Sequence, residues 1–96
     1  MIKIKLMPDY QCYPLWGMSK NNLGNIDPRS LPISEKLISN LMDWAKKYDA
    51  TLNLEEPINS GFATKELELA FKKEGEYLLN RLRIELGNSY HLILKI

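Results

Sequence analysis

The chain contains a single thiol and a single imidazole, Cys12 and His91. Together they could form a nucleophile and its general base, a pair that supports covalent catalysis. That pair would need the segment around Cys12 to fold onto the last strand of the chain. No catalytic cysteine motif surrounds Cys12, so we expect it to pack as a small hydrophobe, and we expect His91 to face solvent or a backbone partner. The sequence favours a protein that is not an enzyme, and a Cys12–His91 enzyme stands third among the functional hypotheses.

Metal and cofactor chemistry has little support in the residue spacing. One histidine and one cysteine are too few to close a zinc site, and the acidic residues do not follow a calcium-loop pattern. Gly17, Gly24 and Gly61 are isolated, and none opens a helix directly after a strand, as phosphate-binding glycines do. The adjacent Glu55 and Glu56 are better explained as a solvated acidic edge than as an acid/base pair. We therefore expect no metal site, no cofactor and no catalytic residues.

The segment 8–29 has the prolines and glycines of a loop but the aromatic content of a binding surface. Its prolines and glycines interrupt any helix or strand pattern. The same segment holds Tyr10, Cys12, Tyr13, Leu15, Trp16 and Met18. Ordered loops of this length are uncommon and usually functional, and Tyr and Trp dominate interface hot spots. Tyr10 and Trp16 are therefore candidate partner contacts. Alternatively, the rings fold back to complete a small core, a role that the apolar neighbours of Trp16 favour.

A net-acidic region extends from the first predicted helix into the segment after it. Residues 35–60 carry three basic and five acidic groups. Such a region could meet a basic partner, although solvated surface charge is the ordinary explanation. Together with the two aromatic residues, the candidate partner-binding residues are Tyr10, Trp16, Asp43, Asp49, Glu55 and Glu56.

Length and composition indicate one domain, residues 1–96. The net charge of +1 is not concentrated in a basic footprint, so nucleic acid is disfavoured as a partner. A lone cysteine excludes an internal disulfide and fits a reducing compartment. No segment is apolar enough for a signal peptide or a membrane span, so we expect a cytoplasmic location and no membrane association.

Strands are predicted at both ends of the chain. Residues 2–6 alternate apolar side chains with lysines, the period-two pattern of a half-buried strand. Residues 90–96 form a second β-rich run, and we expect the two strands in one sheet, with their adjacency left open. Apolar and polar residues alternate weakly over 51–55, so a short third strand is possible there. The composition of 57–61 is typical of a turn. One face of the C-terminal run carries Leu92, Leu94 and Ile96.

Two amphipathic helices are predicted between these strands. The first begins after the N-cap Ser34 and ends near Asp49, and the second begins after Thr64 and ends at Gly87. Gly75 lies near the apolar face in mid-helix, where glycine costs about 1 kcal/mol relative to alanine, so either a close approach or a kink is expected there. The predicted apolar faces are Leu37, Leu41, Trp44, Ala45 and Tyr48 in the first helix, and Leu67, Phe71, Leu78, Leu82 and Leu86, flanked by Ala70 and Ile84, in the second.

The predicted fold class is α+β. Two amphipathic helices pack on a small sheet formed by the N- and C-terminal strands, and a long aromatic loop follows the first strand.

Several short blocks of sequence together resemble a known family. They are 9–16 (DYQCYPLW), 25–28 (NIDP), 31–34 (LPIS), 48–53 (YDATLN) and 60–62 (SGF). These blocks are spread over most of the chain and resemble a family of small bacterial proteins. Some members of that family are similar to immunity proteins of toxin systems such as contact-dependent growth inhibition.

The resemblance implies a cytoplasmic protein that binds a cognate toxin domain and blocks its active site or its access to substrate. Such a protein needs a complementary surface and no cofactor. Inhibitors of nucleases often present a strongly acidic face, so the near-neutral charge implies either a local acidic patch or a toxin that is not a nuclease. The alternative function is a small homo-oligomeric structural or regulatory domain, in which a homodimer covers an exposed sheet edge.

Overall fold

The two helices begin and end where their capping residues predict. In the computed structural model, which describes residues 2–56 and 60–96, helix α1 spans Glu35–Asp49 and helix α2 spans Lys65–Leu86. Ser34 Oγ accepts the Leu37 N–H at 3.1 Å, and Thr64 Oγ1 accepts the Leu67 N–H at 3.2 Å. These hydrogen bonds satisfy donors that have no partner within a helix. Helix α2 ends at Gly87, whose φ of 73° lies in a region that favours glycine.

The described strands form one four-stranded sheet. They are β1 (Ile2–Leu6), β2 (Leu15–Gly17), β3 (Gly24–Ile26) and β4 (Tyr90–Leu94), in the spatial order β3-β2-β1-β4. Strand β2 pairs antiparallel with β1 and with β3, whereas β4 pairs parallel with β1. A parallel neighbour requires a crossover, and the two helices supply it. The α+β class and the sheet built from both chain ends are confirmed, and the terminal strands are direct neighbours.

The segment after β1 is more structured than a continuous loop. It contains the three-residue strands β2 and β3, which the sequence prediction missed. The Asn25 side chain holds this region together, because its Nδ2 donates to the carbonyl oxygens of Tyr13 (2.7 Å) and Leu15 (3.0 Å). Its Oδ1 accepts the Tyr13 N–H at 2.9 Å. An aromatic loop thus leads from β1 to β2, and a short hairpin follows it.

The turn before α1 is fixed by an ion pair. Asp27 accepts the Arg29 backbone N–H at 2.9 Å, and its carboxylate lies 2.7 Å from Arg29 Nη2. The side-chain hydrogen bond from Arg29 is the largest of the contacts that lower the pKa of Asp27 to about 2. A single turn of 3₁₀ helix at Pro28–Ser30 follows and directs the chain toward α1.

The region between the helices contains no strand in its described part. Residues 51–56 form a turn and a bend, so the possible third strand over Thr51–Glu55 is absent there. Most of the turn predicted over 57–61 lies outside the described residues. In the part that is described, the Gly61 N–H donates to the Thr51 carbonyl oxygen at 3.0 Å, which closes the segment back on the end of α1.

Both helices cover the same face of the sheet. The core brings together side chains from three strands and both helices: Ile4, Leu6, Leu15, Leu37, Leu41, Trp44, Phe71, Leu78, Leu82 and Leu92. Three residues expected on or beside the buried face of α2 are exposed instead: Leu67 (53% exposed), Ala70 and Ile84 (69% exposed). Leu67 lies in the first turn of α2, where it lines an open apolar hollow with Phe62 and Phe71 instead of entering the core.

Candidate protein-binding surfaces

Tyr10 lies in the loop after β1 and packs against the end of α1. Its ring stacks on Tyr48 with 4.6 Å between the centroids. Its hydroxyl lies 3.0 Å from Thr51 Oγ1, within hydrogen-bonding distance. Burial is the main cause that raises the pKa of Tyr48, and Tyr10 adds to it. Tyr10 is half-buried, so part of its side chain stays accessible to a partner.

Asp49 holds the same loop in place. As the last residue of α1, it accepts the Gln11 backbone N–H on Oδ1 at 2.8 Å. Gln11 has a φ of 60°, the only left-handed backbone among the described non-glycine residues. Such a conformation is uncommon outside glycine and persists where surrounding contacts fix it. The carboxylate therefore fixes the turn that places the Tyr10 ring on Tyr48.

Glu55 and Glu56 lie in the exposed segment after α1. The Asn53 side chain organises them, because its Oδ1 accepts the backbone N–H groups of Glu55 (3.1 Å) and Glu56 (3.0 Å). Thr51, which lies within hydrogen-bonding distance of the Tyr10 hydroxyl, precedes Glu55 and Glu56 by only four and five residues. We call Tyr10, Asp49, Glu55 and Glu56 the acidic end.

Asp43 lies apart from that group. It is exposed on α1 and lines a shallow hollow between the helices, with Lys47 and Glu74 among its neighbours. Lys47 Nζ contacts both carboxylate oxygens of Glu74 at 2.7 Å and links α1 to α2. The structure therefore does not bring Asp43 together with the other acidic candidates.

Trp16 lies on the face of the sheet that points away from the helices. Its neighbours in sequence, Leu15 and Gly17, are buried, and side chains alternate between the two faces of a strand. Trp16 is in register with Lys5 of β1, and its Nε1–H donates to the Met7 carbonyl oxygen at 3.1 Å. It is half-buried. The two aromatic candidates thus lie on different surfaces.

The surface around Trp16 is basic. In the four strands the lysine and histidine side chains are Lys3, Lys5 and His91, and their positions in register place all three on the side opposite the buried Ile4 and Leu92. Lys95 continues the alternation two residues after Ile93. We call Lys3, Lys5, Trp16, His91, Ile93 and Lys95 the outer sheet face. The alternation over 2–6 pointed to lysines on one side of a strand, but the sequence alone did not show that β2 and β4 extend this face.

Cys12 and His91 lie on opposite sides of the sheet. Cys12 is half-buried and lines a shallow hollow with Met42, Ala45 and Asp49 of α1, on the helix side. His91 is exposed and in register with Lys3, on the outer side. The structure therefore does not bring the His91 imidazole to the Cys12 thiol.

The described parts of the chain, 2–56 and 60–96, contain no cluster of three or more metal-ligating side chains. Within the same ranges no helix is long and apolar enough to cross a membrane. What the fold displays is two accessible surfaces of different charge on a small scaffold. Accessible aromatic side chains, such as that of Trp16, are enriched in the interfaces of proteins that bind other proteins.

The comparison with protein families agrees with that class. The chain belongs to the Serratia CdiI immunity protein-like family, whose model matches residues 2–94. The resemblance to immunity proteins of contact-dependent growth inhibition is therefore confirmed, and the family indicates a non-enzymatic role with a protein partner. No curated protein matches the sequence closely enough to serve as a relative.

Proposed function

We propose that this chain is an immunity protein that binds a cognate bacterial toxin domain in the cytoplasm and neutralises it. Binding would cover the active site of the toxin or block its access to substrate. The observation that carries the proposal is the family match, which extends over residues 2–94 and so includes every element of the fold.

The geometry supports a binding role. Trp16 presents an accessible aromatic surface beside lysines, and the acidic end combines a half-buried tyrosine with the exposed Glu55 and Glu56. Aromatic side chains surrounded by charge are typical of interface hot spots and their rims. The candidate toxin contacts are the six residues named from the sequence. Five of them fall into two surfaces that mutagenesis can separate, and Asp43 lies apart from both.

Affinity capture from the native host tests the proposal. The tagged chain is purified from cells, and the proteins that elute with it are identified by mass spectrometry. The expected result is one stoichiometric partner, the C-terminal domain of a large secreted protein. That domain is then produced in a sensitive strain with and without this chain. The domain alone should stop growth, and production of this chain beside it should restore growth.

A matched control makes the growth test specific. An immunity-family protein of another toxin should give no protection, because immunity depends on a complementary surface. Toxicity that persists when this chain is produced at the same level as the captured domain would contradict the proposed function.

The alternative, a homo-oligomeric domain, has one structural feature in its favour. Strands β3 and β4 are the edges of the sheet, and an exposed edge can pair with a second copy. Sedimentation of the purified protein over a range of concentrations shows whether it self-associates. A reversible dimer that forms without the toxin would favour this alternative, whereas a monomer at all concentrations would exclude it.

A further inference from the structure

We propose that the outer sheet face is the surface that binds the toxin, and that the toxin presents an acidic surface to it. This inference rests on the proposed function, because it names the chemistry of the partner's contact surface. It also differs from the expectation drawn from the sequence, in which acidic residues would meet a basic partner.

The register of the strands shows how the face is built. Lys5 lies between Trp16 of β2 and Ile93 of β4, and Lys3 lies beside His91. The Met18 N–H donates to the Lys3 carbonyl oxygen at 2.9 Å. Residues directly opposite each other on adjacent strands have their β-carbons about 5 Å apart, so these side chains form one contiguous surface.

The charge on this face is basic and lacks acidic neighbours. The described ion pairs are Asp27–Arg29, Lys47–Glu74, Glu68–Lys72 and Arg81–Glu85. They lie in the turn before α1 or on the helices, and within the described ranges no carboxylate lies within 4 Å of Lys3, Lys5 or Lys95. An acidic partner would give these lysines the counter-charges that the fold does not supply.

The apolar component makes the face suitable for a protein. Lys5 is half-buried and in register with Trp16 and Ile93, a position from which a lysine can cover apolar neighbours with its aliphatic stem while its ammonium group stays in water. Trp16 and Ile93 are also half-buried and can lose further exposed area when a partner docks. A buried aromatic centre with charges around it is the arrangement that concentrates binding energy in protein interfaces.

The acidic end is less available for binding. Its Asp49 carboxylate accepts a backbone N–H of the loop, and its Tyr10 is stacked on Tyr48 and lies within hydrogen-bonding distance of Thr51. These groups already stabilise the fold, so a partner would gain little new from them. The lysines of the outer sheet face carry no such structural role.

Nucleic acid is a poorer match than an acidic protein. Three lysines would neutralise only a few phosphates, and the affinity of a nucleic-acid complex scales with the number of phosphates neutralised. The chain as a whole has a net charge of only +1, so its long-range attraction to a polyanion is weak.

The test compares two charge-reversal triples. The first changes the outer sheet face: Lys3→Glu, Lys5→Glu and Lys95→Glu. The second makes the same change in charge on exposed helix positions: Lys36→Glu, Lys46→Glu and Lys73→Glu. Circular dichroism and urea unfolding establish that each variant is folded, and a Lys→Gln version of the first triple serves if the Glu version does not fold. Each protein is titrated calorimetrically with the toxin domain obtained by affinity capture.

The expected result is a loss of about 100-fold or more in affinity for the sheet triple, because attraction is replaced by repulsion at a contact surface. The helix triple should stay within about threefold of the parent, because exposed charges away from an interface contribute little. The parent's affinity should also fall as the salt concentration rises.

The outcomes separate this inference from the proposed function. Parent-like binding by the sheet triple, or an equal loss in both triples, would overturn the inference and leave the immunity role intact. Failure of the parent to bind the toxin domain would contradict both the inference and the proposed immunity function. A labelled single-stranded oligonucleotide is titrated in parallel, and tight binding abolished only in the sheet triple would assign the face to nucleic acid and overturn the proposal.

Discussion

Gly75 lies so close to Trp44 that a β-carbon at position 75 would stand 2.8 Å from Trp44 Cζ2. The tryptophan is fully buried, and its Nε1–H donates to the Phe71 carbonyl oxygen at 3.0 Å. Its ring also stacks on Phe71 with 4.4 Å between the centroids. The side chain therefore cannot withdraw from α2. Of the two explanations that the sequence allowed for this glycine, the close approach is the one that the structure shows.

Gly75→Ala is expected to destabilise the protein. Alanine has the better helix propensity by about 1 kcal/mol, but overpacking a core costs about 1–3 kcal/mol, so we expect a net loss of about 1 kcal/mol. Urea unfolding measures it. Asn80→Ala, at an exposed position of the same helix, is the control and should be neutral or slightly stabilising. An equal gain in stability from both variants would show that the helices do not approach closely at Gly75.

Glu85→Gln is expected to weaken the contact between the start of α1 and the end of α2. The Glu85 carboxylate accepts the Ser34 N–H at 2.6 Å and the Ser34 hydroxyl at 2.9 Å. These hydrogen bonds, the backbone one first, lower the pKa of Glu85 from its ordinary 4.5. Replacing the charged acceptor should lower the free energy of unfolding by about 1 kcal/mol at neutral pH.

The pH dependence of that difference follows from the lowered pKa. A carboxyl group whose pKa is lower in the folded state stabilises the fold above its unfolded pKa, and this contribution is lost as the pH falls through the folded pKa. The difference in the free energy of unfolding between the parent and Glu85→Gln should therefore be constant above pH 4.5. It should become smaller in more acidic solution. Glu76→Gln, exposed on the same helix, should show no such difference. A difference in the free energy of unfolding that increases in acid would contradict a lowered pKa for Glu85.

Tyr10 is expected to contribute to stability through both its ring and its hydroxyl. Tyr10→Phe removes the contact with Thr51 Oγ1 and should cost about 0.5–1 kcal/mol. Tyr10→Ala also removes the ring that stacks on Tyr48 and should cost about 2 kcal/mol in total. Thermal unfolding of the parent and both variants measures the order of their stabilities. If Tyr10→Ala were as stable as the parent, the loop would not pack on α1 as described.

Trp16→Ala is expected to leave the protein folded and to weaken the toxin complex by more than about tenfold, because a half-buried ring at a contact surface acts as a hot spot. Circular dichroism and calorimetric titration give the two readouts. Tyr77→Ala removes an exposed aromatic ring from α2, away from the sheet, and should bind like the parent. Unfolding of Trp16→Ala would assign the ring to the core, and equal binding by both variants would remove Trp16 from the interface.

Cys12 is expected to react independently of His91. It faces α1, and His91 lies on the other side of the sheet, so His91→Ala should leave the rate of Cys12 alkylation unchanged at every pH. Mass spectrometry of the iodoacetamide adduct over time measures that rate. A rate that falls sharply in His91→Ala would revive the Cys–His enzyme hypothesis.

The helices could be read from the sequence because their determinants are local. Ser34 and Thr64 cap the helices that follow them, Gly87 ends the second helix, and apolar spacing marks the buried faces. Leu67 and Ile84 show where the rule weakens, because periodicity gives the direction of a side chain but not whether another element covers it.

The sheet was less accessible to sequence reasoning because its pairing is nonlocal. Strands β2 and β3 have three residues each, too few for a periodic pattern, and Asn25 stabilises them through side-chain hydrogen bonds. The parallel pairing of β1 with β4 depends on both helices folding between them. For the same reason, Tyr10 and Trp16 are close in sequence and yet lie on different surfaces.

The measurement that tests the central claim most directly is calorimetric titration of the captured toxin domain with this chain. An immunity protein should form a one-to-one complex with a dissociation constant of about nanomolar or tighter. The same complex should abolish the activity of the toxin at equal concentrations. Absence of binding heat together with undiminished toxin activity in the mixture would contradict the account.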